Sequence, residues 1–148
     1  MAREFQKIAE WPGVTPEIFR GQIYSRKRPA VLKGLVRDWP AVKEGARSPQ
    51  AFCDYVKRFD RGREVGVLTA LPGVNGRFFY RDDMRGYNFE RRKEVFAHAL
   101  AGLLAQLDDE NPPATYVESA LVSDCVPDFP QENALDLVGS SALARIWM

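Results

Sequence analysis

Apolar and polar positions follow one another in short blocks that proline and glycine separate, and several of these blocks have the helical period. Thr15-Pro16 and Ser48-Pro49 each place a capping hydroxyl directly before a proline, which is typical of a helix start. The second of these starts is followed by four apolar residues on one helical face: Phe52, Tyr55, Val56 and Phe59. We therefore predict one helix after each capping pair.

The longest helix is predicted over residues 93–107. Its apolar residues recur at intervals of one, three and four positions and form one stripe: Val95, Phe96, Ala99, Leu100, Leu103, Leu104 and Leu107. His98, the single histidine of the chain, lies on the other side of that helix. We therefore expect His98 to face solvent.

Short apolar runs between these helices predict strands over residues 29–33, 64–71, 115–121 and 143–148. Two further short strands, 77–81 and 87–89, flank a turn-rich segment and predict a hairpin. Strands mixed with three or four helices indicate an α+β fold. The last predicted strand is apolar, so we expect it to need neighbours and otherwise to leave an unpaired apolar edge.

Charge is distributed unevenly, although the formal net charge is only +1. Residues 1–93 carry 20 Lys and Arg against 11 Asp and Glu, whereas residues 94–148 carry one against nine. The basic residues are scattered among apolar ones, so we expect the two halves to neutralise each other or a partner, and we do not expect nucleic acid to bind. The alternative is a basic surface for an anionic partner.

The residue chemistry predicts no catalytic set and no metal site. His98 has no second histidine to work with, and Cys53 and Cys125 match no metal-binding or redox spacing. Acidic pairs such as Asp82 and Asp83 are adjacent in turn-like segments, where their carboxylates do not converge on one substrate. No glycine-rich phosphate loop is present. Two reduced thiols and the lack of an 18-residue apolar run indicate a cytoplasmic protein without a membrane partner.

The predicted hairpin over residues 77–89 interleaves aromatic and basic side chains, reading RFFYR in its first arm. Such a pattern is typical of a surface that stacks bases, but it is also typical of a hairpin whose aromatic residues pair across the strands and fill a core. Both interpretations remain open from the sequence. The first would make the chain a non-catalytic binding or oligomerisation module.

Four segments together resemble one known family, in matching order and spacing. They read RPAVLKGLVRDWP (28–40), GRFFYRDDMRGYNF (76–89), TYVES (115–119) and ARIWM (144–148). The sequence is similar to the cupin-like, JmjC-related branch of the Fe(II)- and 2-oxoglutarate-dependent oxygenases over about residues 11 to 148. This resemblance implies an incomplete jelly roll: residues 1–110 would be the helical and strand flank, and residues 111–148 the first strands of the double-stranded β-helix, in one partial domain.

The resemblance also implies an iron site that these residues do not supply. In the family, a His-x-Asp/Glu pair follows the strand that resembles ARIWM, and a second histidine lies further along. We therefore expect this chain to be the N-terminal portion of such a hydroxylase, inactive alone, with Fe(II) and 2-oxoglutarate bound only by the intact protein. Self-association or pairing with a missing C-terminal half is the corresponding expectation for partners.

Two positions carry over from the family to this sequence. Tyr116 resembles a strand tyrosine that donates a hydrogen bond to the 2-oxoglutarate carboxylate, so it is the expected cofactor-binding residue. Glu118 would share its strand face and reach the substrate side of the pocket. The competing interpretations are a core or rim tyrosine and a surface carboxylate. No catalytic residue and no metal ligand is assigned.

Overall fold

The computed structural model describes residues 6–139 and 142–148. Helices and strands are mixed along the chain, as the α+β prediction requires. The strands are β1 (Ala9–Pro12), β2 (Ala30–Lys33), β3 (Glu64–Ala70), β4 (Phe89–Val95), β5 (Ala114–Glu118), β6 (Ala120–Leu121) and β7 (Arg145–Ile146). The helices are α1 (Pro16–Ile18), α2 (Pro40–Arg47), α3 (Pro49–Lys57), α4 (Phe96–Ala105), α5 (Val122–Cys125) and α6 (Phe129–Glu132).

A three-stranded antiparallel sheet lies at the centre, with the order β4-β3-β5. Two smaller sheets join β1 to β2 in parallel and β6 to β7 in antiparallel. The strands of the described residues therefore form three small sheets rather than a closed jelly roll. No helix in this part of the chain has the length and apolar character that crossing a lipid bilayer requires.

The core lies between one face of the central sheet and helices α3 and α4. Phe96 and Leu100 of α4, Val56 of α3 and Val67 and Val117 of the sheet are at most 1% exposed. The predicted apolar face of the second capped helix is confirmed, because Tyr55, Val56 and Phe59 are also buried in this cluster. Burial of several large side chains here supplies most of the hydrophobic stabilisation of the fold.

Both predicted capping pairs are confirmed. The Thr15 hydroxyl accepts a hydrogen bond from Ile18 N at 3.3 Å, and the Ser48 hydroxyl accepts one from Ala51 N at 3.0 Å. The first helix is short and irregular, since after Pro16–Ile18 it widens into a π-helical turn, Phe19–Ile23, and then tightens into a 3₁₀ turn, Tyr24–Arg26.

The predicted helix over residues 93–107 starts three residues too early. Lys93 and Val95 belong to β4, where they pair with Gly66 and Glu64 of β3. The apolar stripe is compatible with helix from residue 93 onward, but pairing with a strand distant in sequence decides the conformation of these residues. His98 is exposed on α4, as predicted.

The strand predicted over residues 115–121 is broken in two at Ser119. This residue has a φ of 47°, in the left-handed region, which ends β5 and sends β6 into a different sheet. The predicted strand 143–148 shortens to β7, but its pairing extends further: Val117 N donates to Met148 O at 2.7 Å, and Val122 N donates to Ala144 O at 3.1 Å. One edge of this segment is therefore paired, and the other has no partner strand among the described residues.

The predicted hairpin over residues 77–89 is an irregular antiparallel loop with a single bridge, between Tyr80 and Tyr87. The Asn88 side chain replaces part of the strand ladder, because Oδ1 accepts from Phe79 N and Nδ2 donates to Arg77 O, each at 2.8 Å. Only Phe89 of the predicted second arm belongs to a strand, β4. A local side chain thus takes over hydrogen bonds that two regular strands would make.

Candidate functional site

The register of the central sheet places Tyr116 and Glu118 on the same face. Leu68 of β3 pairs with Tyr116 on one side, and Gly66 pairs with Glu118. Paired residues of an antiparallel sheet project to the same side, and residues two apart along a strand do so too. We call this side the aromatic face; its members are Gly66, Leu68, Ala70, Phe89, Arg91, Lys93, Ala114, Tyr116 and Glu118.

The opposite side, which we call the core face, contributes Val65, Val67 and Val117 to the buried cluster with α3 and α4. Leu68 and Ala70 are buried as well, yet they lie outside that cluster. The two faces of one sheet thus contact different surroundings. Helices cover the core face, whereas aromatic side chains of neighbouring loops cover part of the aromatic face.

Tyr116 is half-buried between two aromatic rings. Its ring centroid lies 6.0 Å from that of Phe78 and 6.0 Å from that of Trp147. Trp147 reaches this face because side chains alternate along the last strand, so that Ile146 and Met148 pack against the core cluster instead. Tyr116 therefore lies in an aromatic environment that two other segments of the chain provide.

The aromatic contacts continue from Tyr116 into the 77–89 loop. Phe78 and Phe89 have centroids 5.6 Å apart, Phe89 stacks on Tyr87 at 4.8 Å, and Tyr87 meets Tyr80 at 5.0 Å. The far end of this series is exposed, with Tyr87 at 51%. The neighbouring Tyr87 side chain raises the pKa of Tyr80. One series of rings therefore joins the predicted cofactor residue to the surface.

Glu118 contacts a cation across the sheet. Its Oε2 atom lies 2.7 Å from Nη2 of Arg91 but is buried and makes no hydrogen bond of good geometry to the described residues. A β-carbon at Gly66 would stand 3.2 Å from the same oxygen, so glycine at that position leaves room for the carboxylate. Glu118 is therefore held beside Arg91 and against Gly66.

The left-handed turn at Ser119 brings Arg145 to the end of β5. Nη1 of Arg145 donates to the Ser119 carbonyl oxygen at 3.0 Å and to the Ser119 hydroxyl at 2.9 Å. These bonds fix the guanidinium group at the edge of the candidate site.

Two cavities adjoin Glu118. The larger measures about 880 Å³ and the smaller about 580 Å³, and both are lined by Gly66, Lys93, Glu118 and Ser119. Tyr116 lines neither cavity. Glu118 thus stands between the ring-covered part of the aromatic face and a polar groove of a size that admits a small ligand.

The described residues do not fit an iron site. No three His, Cys, Asp or Glu side chains within residues 6–139 and 142–148 are grouped so that they could hold a metal ion. His98 is exposed on α4, and the thiols of Cys53 and Cys125 are buried, which raises the pKa of each. A thiol with a raised pKa stays protonated and is a poor metal ligand at neutral pH.

Sequence reasoning named Tyr116 and Glu118 but missed the residues that surround them. Arg91 and Lys93 were assigned to neither the cofactor site nor the substrate site, and Trp147 was named only as part of a predicted strand. The signal that identifies them is the register of β3 with β4 and β5, which depends on contacts between residues far apart in sequence.

Comparison with known proteins gives one family. A family model described as a cupin-like domain matches residues 16–148, which is most of the chain. No curated protein matches.

Proposed function

Because the chain belongs to the cupin-like domain family, we propose that it forms part of an Fe(II)- and 2-oxoglutarate-dependent hydroxylase and supplies the sheet face next to the cofactor and substrate. The observation that carries this proposal is the placement of Tyr116 and Glu118 on one sheet face, away from the helix-covered core, with Glu118 beside two cavities. The proposed reaction is hydroxylation of an unactivated C–H bond.

Tyr116 is the proposed cofactor-binding residue. Its hydroxyl would donate a hydrogen bond to a carboxylate of 2-oxoglutarate, and a bond to a charged acceptor contributes about 1.5–3 kcal/mol. The rings of Phe78 and Trp147 provide the aromatic environment of this residue.

Glu118 is the proposed substrate-binding residue. Glu118 lines both cavities of the candidate site, where its carboxylate would accept a hydrogen bond from a donor group of the substrate. Arg91 holds the carboxylate in place through an ion pair at 2.7 Å.

The proposal assigns the iron ligands to residues other than those described here, because the described residues offer no suitable group of three side chains. No step of the reaction is therefore assigned to the 148-residue chain by itself. Self-association, or pairing with a polypeptide that carries the ligands, is the corresponding proposal for its partners.

The test compares two forms of the protein in an assay for 2-oxoglutarate turnover with added Fe(II). One form is the 148-residue chain alone, and the other is the same chain together with the polypeptide that supplies the proposed iron ligands. We expect turnover only in the second form and a marked loss there for Tyr116→Phe. Turnover by the 148-residue chain alone would contradict the assignment of the ligands, and undiminished turnover by Tyr116→Phe would contradict the role of the tyrosine.

A second candidate function is a non-catalytic binding or oligomerisation module, and the exposed end of the aromatic series favours it. Phe79 is 63% exposed and Tyr80 44%, beside Arg77 and Arg81. If this candidate is correct, the chain is retained on single-stranded nucleic acid at low salt, and replacing Arg77 and Phe79 together by alanine abolishes retention. Light scattering of the same double variant separates oligomerisation from ligand binding.

A further inference from the structure

The 880 Å³ cavity brings together three cations from three separate parts of the chain. Arg63 precedes β3, Lys93 lies near the end of β4, and Arg145 begins β7. In the described part of the protein, none of the three is ion-paired with a carboxylate, whereas Arg61 at the cavity wall is paired with Asp128. The fold therefore gathers positive charge that it does not itself neutralise.

Hydrogen bonds fix the backbone of Arg63 and of Lys93, and the side chain of Arg145, beside the cavity. The carbonyl oxygen of Arg63 accepts a hydrogen bond from Phe96 N at 2.9 Å, and Phe96 is fully buried. Lys93 pairs with Gly66 in the central sheet. The guanidinium of Arg145 is oriented by its two hydrogen bonds to Ser119.

The cavity also contains three carboxylates, and they do not remove the excess of positive charge. Glu118 is paired with Arg91, which lies outside this cavity. Two carboxylates, Glu64 and Asp124, are then left to balance the three cations. Within the described residues, neither carboxylate forms an ion pair with any of the three. Like charges gathered at a low-dielectric surface repel each other, and a bound anion relieves that repulsion.

We propose that this cavity binds a small anion through Arg63, Lys93 and Arg145, with oxygens of the phosphate or carboxylate type as the recognised group. Arg145 offers guanidinium N–H groups beyond the one that bonds Ser119, and Lys93 offers an ammonium point charge. The Ser119 hydroxyl at the cavity wall, which accepts from Arg145, adds a neutral donor. The site is separate from the ring-covered Tyr116 and does not depend on iron.

The experiment titrates inorganic phosphate and succinate, each without metal, into the 148-residue chain, followed by calorimetry and by backbone amide shifts. We expect saturable binding of at least one of the two, with the largest shifts around Lys93, Ser119 and Arg145, and an affinity that falls with added sodium chloride. Tighter binding of phosphate would indicate that the natural ligand carries a phosphate group, and tighter binding of succinate would indicate a dicarboxylate.

Variants make the assignment specific. Lys93→Gln and Arg145→Gln should each weaken binding about tenfold, which is the effect of losing one charge-assisted hydrogen bond. Arg145→Lys, which keeps the charge, should weaken it less. Arg20→Gln, an exposed cation outside the cavity, should leave the affinity unchanged, and circular dichroism establishes that each variant is folded.

Two results would overturn the proposal: no saturable binding of either anion, or an equal loss in Arg20→Gln and Arg145→Gln. Neither of these depends on 2-oxoglutarate turnover, so the anion site and the hydroxylase proposal can fail independently.

Discussion

The two faces of the central sheet are made by the same three strands yet have opposite environments. On the core face, Val67 and Val117 are completely buried against α4. On the aromatic face, Tyr116 and Glu118 are half-buried, and Arg91 keeps 68% of its side chain exposed. Because strand residues alternate between the faces, one stretch of five residues in β5 contributes to both.

The difference separates stability from function. Close-packed apolar side chains on the core face supply stability, and nearly any loss of volume there costs free energy. The aromatic face holds polar groups and cavities that add little to stability but are suited to a ligand. Substitutions on the two faces should therefore have different effects, and four predictions test this from the largest expected effect to the smallest.

The largest effect is expected for Phe96→Ala on the core side. Phe96 is fully buried, so its truncation should lower the free energy of unfolding by about 3–5 kcal/mol. Urea denaturation measures the change. Phe79→Ala in the exposed loop removes the same atoms and should cost less than about 0.5 kcal/mol. If both substitutions lowered the free energy of unfolding equally, the assignment of the hydrophobic core to the α4 side of the sheet would be wrong.

Asn133→Ala should cost about 1–3 kcal/mol, because it leaves buried groups without partners. Oδ1 of Asn133 accepts from Ala41 N at 3.1 Å, and Nδ2 donates to the Tyr55 hydroxyl at 2.8 Å and to Phe129 O at 3.1 Å. Asn133 is 3% exposed, whereas Asn111 is exposed and serves as the control. A thermal melt in which both alanine variants match the parent protein would contradict this network.

Raising the pH should destabilise the core. Burial raises the pKa of the Tyr55 hydroxyl and of the Cys53 and Cys125 thiols, so all three favour the protonated, folded state. Each group contributes fully to the free energy of unfolding at a pH below its pKa in the unfolded chain, which is about 8.5 for a thiol and about 10 for tyrosine. That contribution is lost as the pH rises through the higher pKa of the same group in the folded protein. Replacing both cysteines by alanine should move the onset of this loss to higher pH. An onset that stays at the same pH would exclude the thiols as its cause.

The smallest effect is expected on the aromatic face. A double-mutant cycle with Arg91→Gln and Glu118→Gln should give a coupling free energy of about 0–1 kcal/mol, because Arg91 is mostly exposed and water screens the pair. A coupling well above that range would mean that this ion pair holds the fold together rather than a ligand site.

Local signals in the sequence predicted much of the core face. The capping hydroxyls of Thr15 and Ser48 and the apolar face of α3 depend on neighbours within a few residues. The start of α4, the break at Ser119 and the irregular loop around Asn88 depend on pairing or side-chain bonds that a local pattern does not encode.

The candidate site was predicted in part. Tyr116 and Glu118 were named from a family resemblance, and their shared face followed from strand periodicity. Arg91, Lys93 and Arg145 could not be placed beside them, because the register between distant strands brings them there. The hydrogen bonds of Asn133 were also missed, because its partners lie up to 92 residues away in sequence.

The most direct test measures 2-oxoglutarate binding and unfolding free energy on the same set of variants, in the protein together with any polypeptide that copurifies with it, loaded with Fe(II). The account predicts that Tyr116→Phe weakens binding about tenfold or more, with a change in stability below about 1 kcal/mol. Phe79→Ala should change neither quantity. Unchanged binding in Tyr116→Phe, or a loss of stability comparable to that of Phe96→Ala, would contradict the assignment of function to the aromatic face.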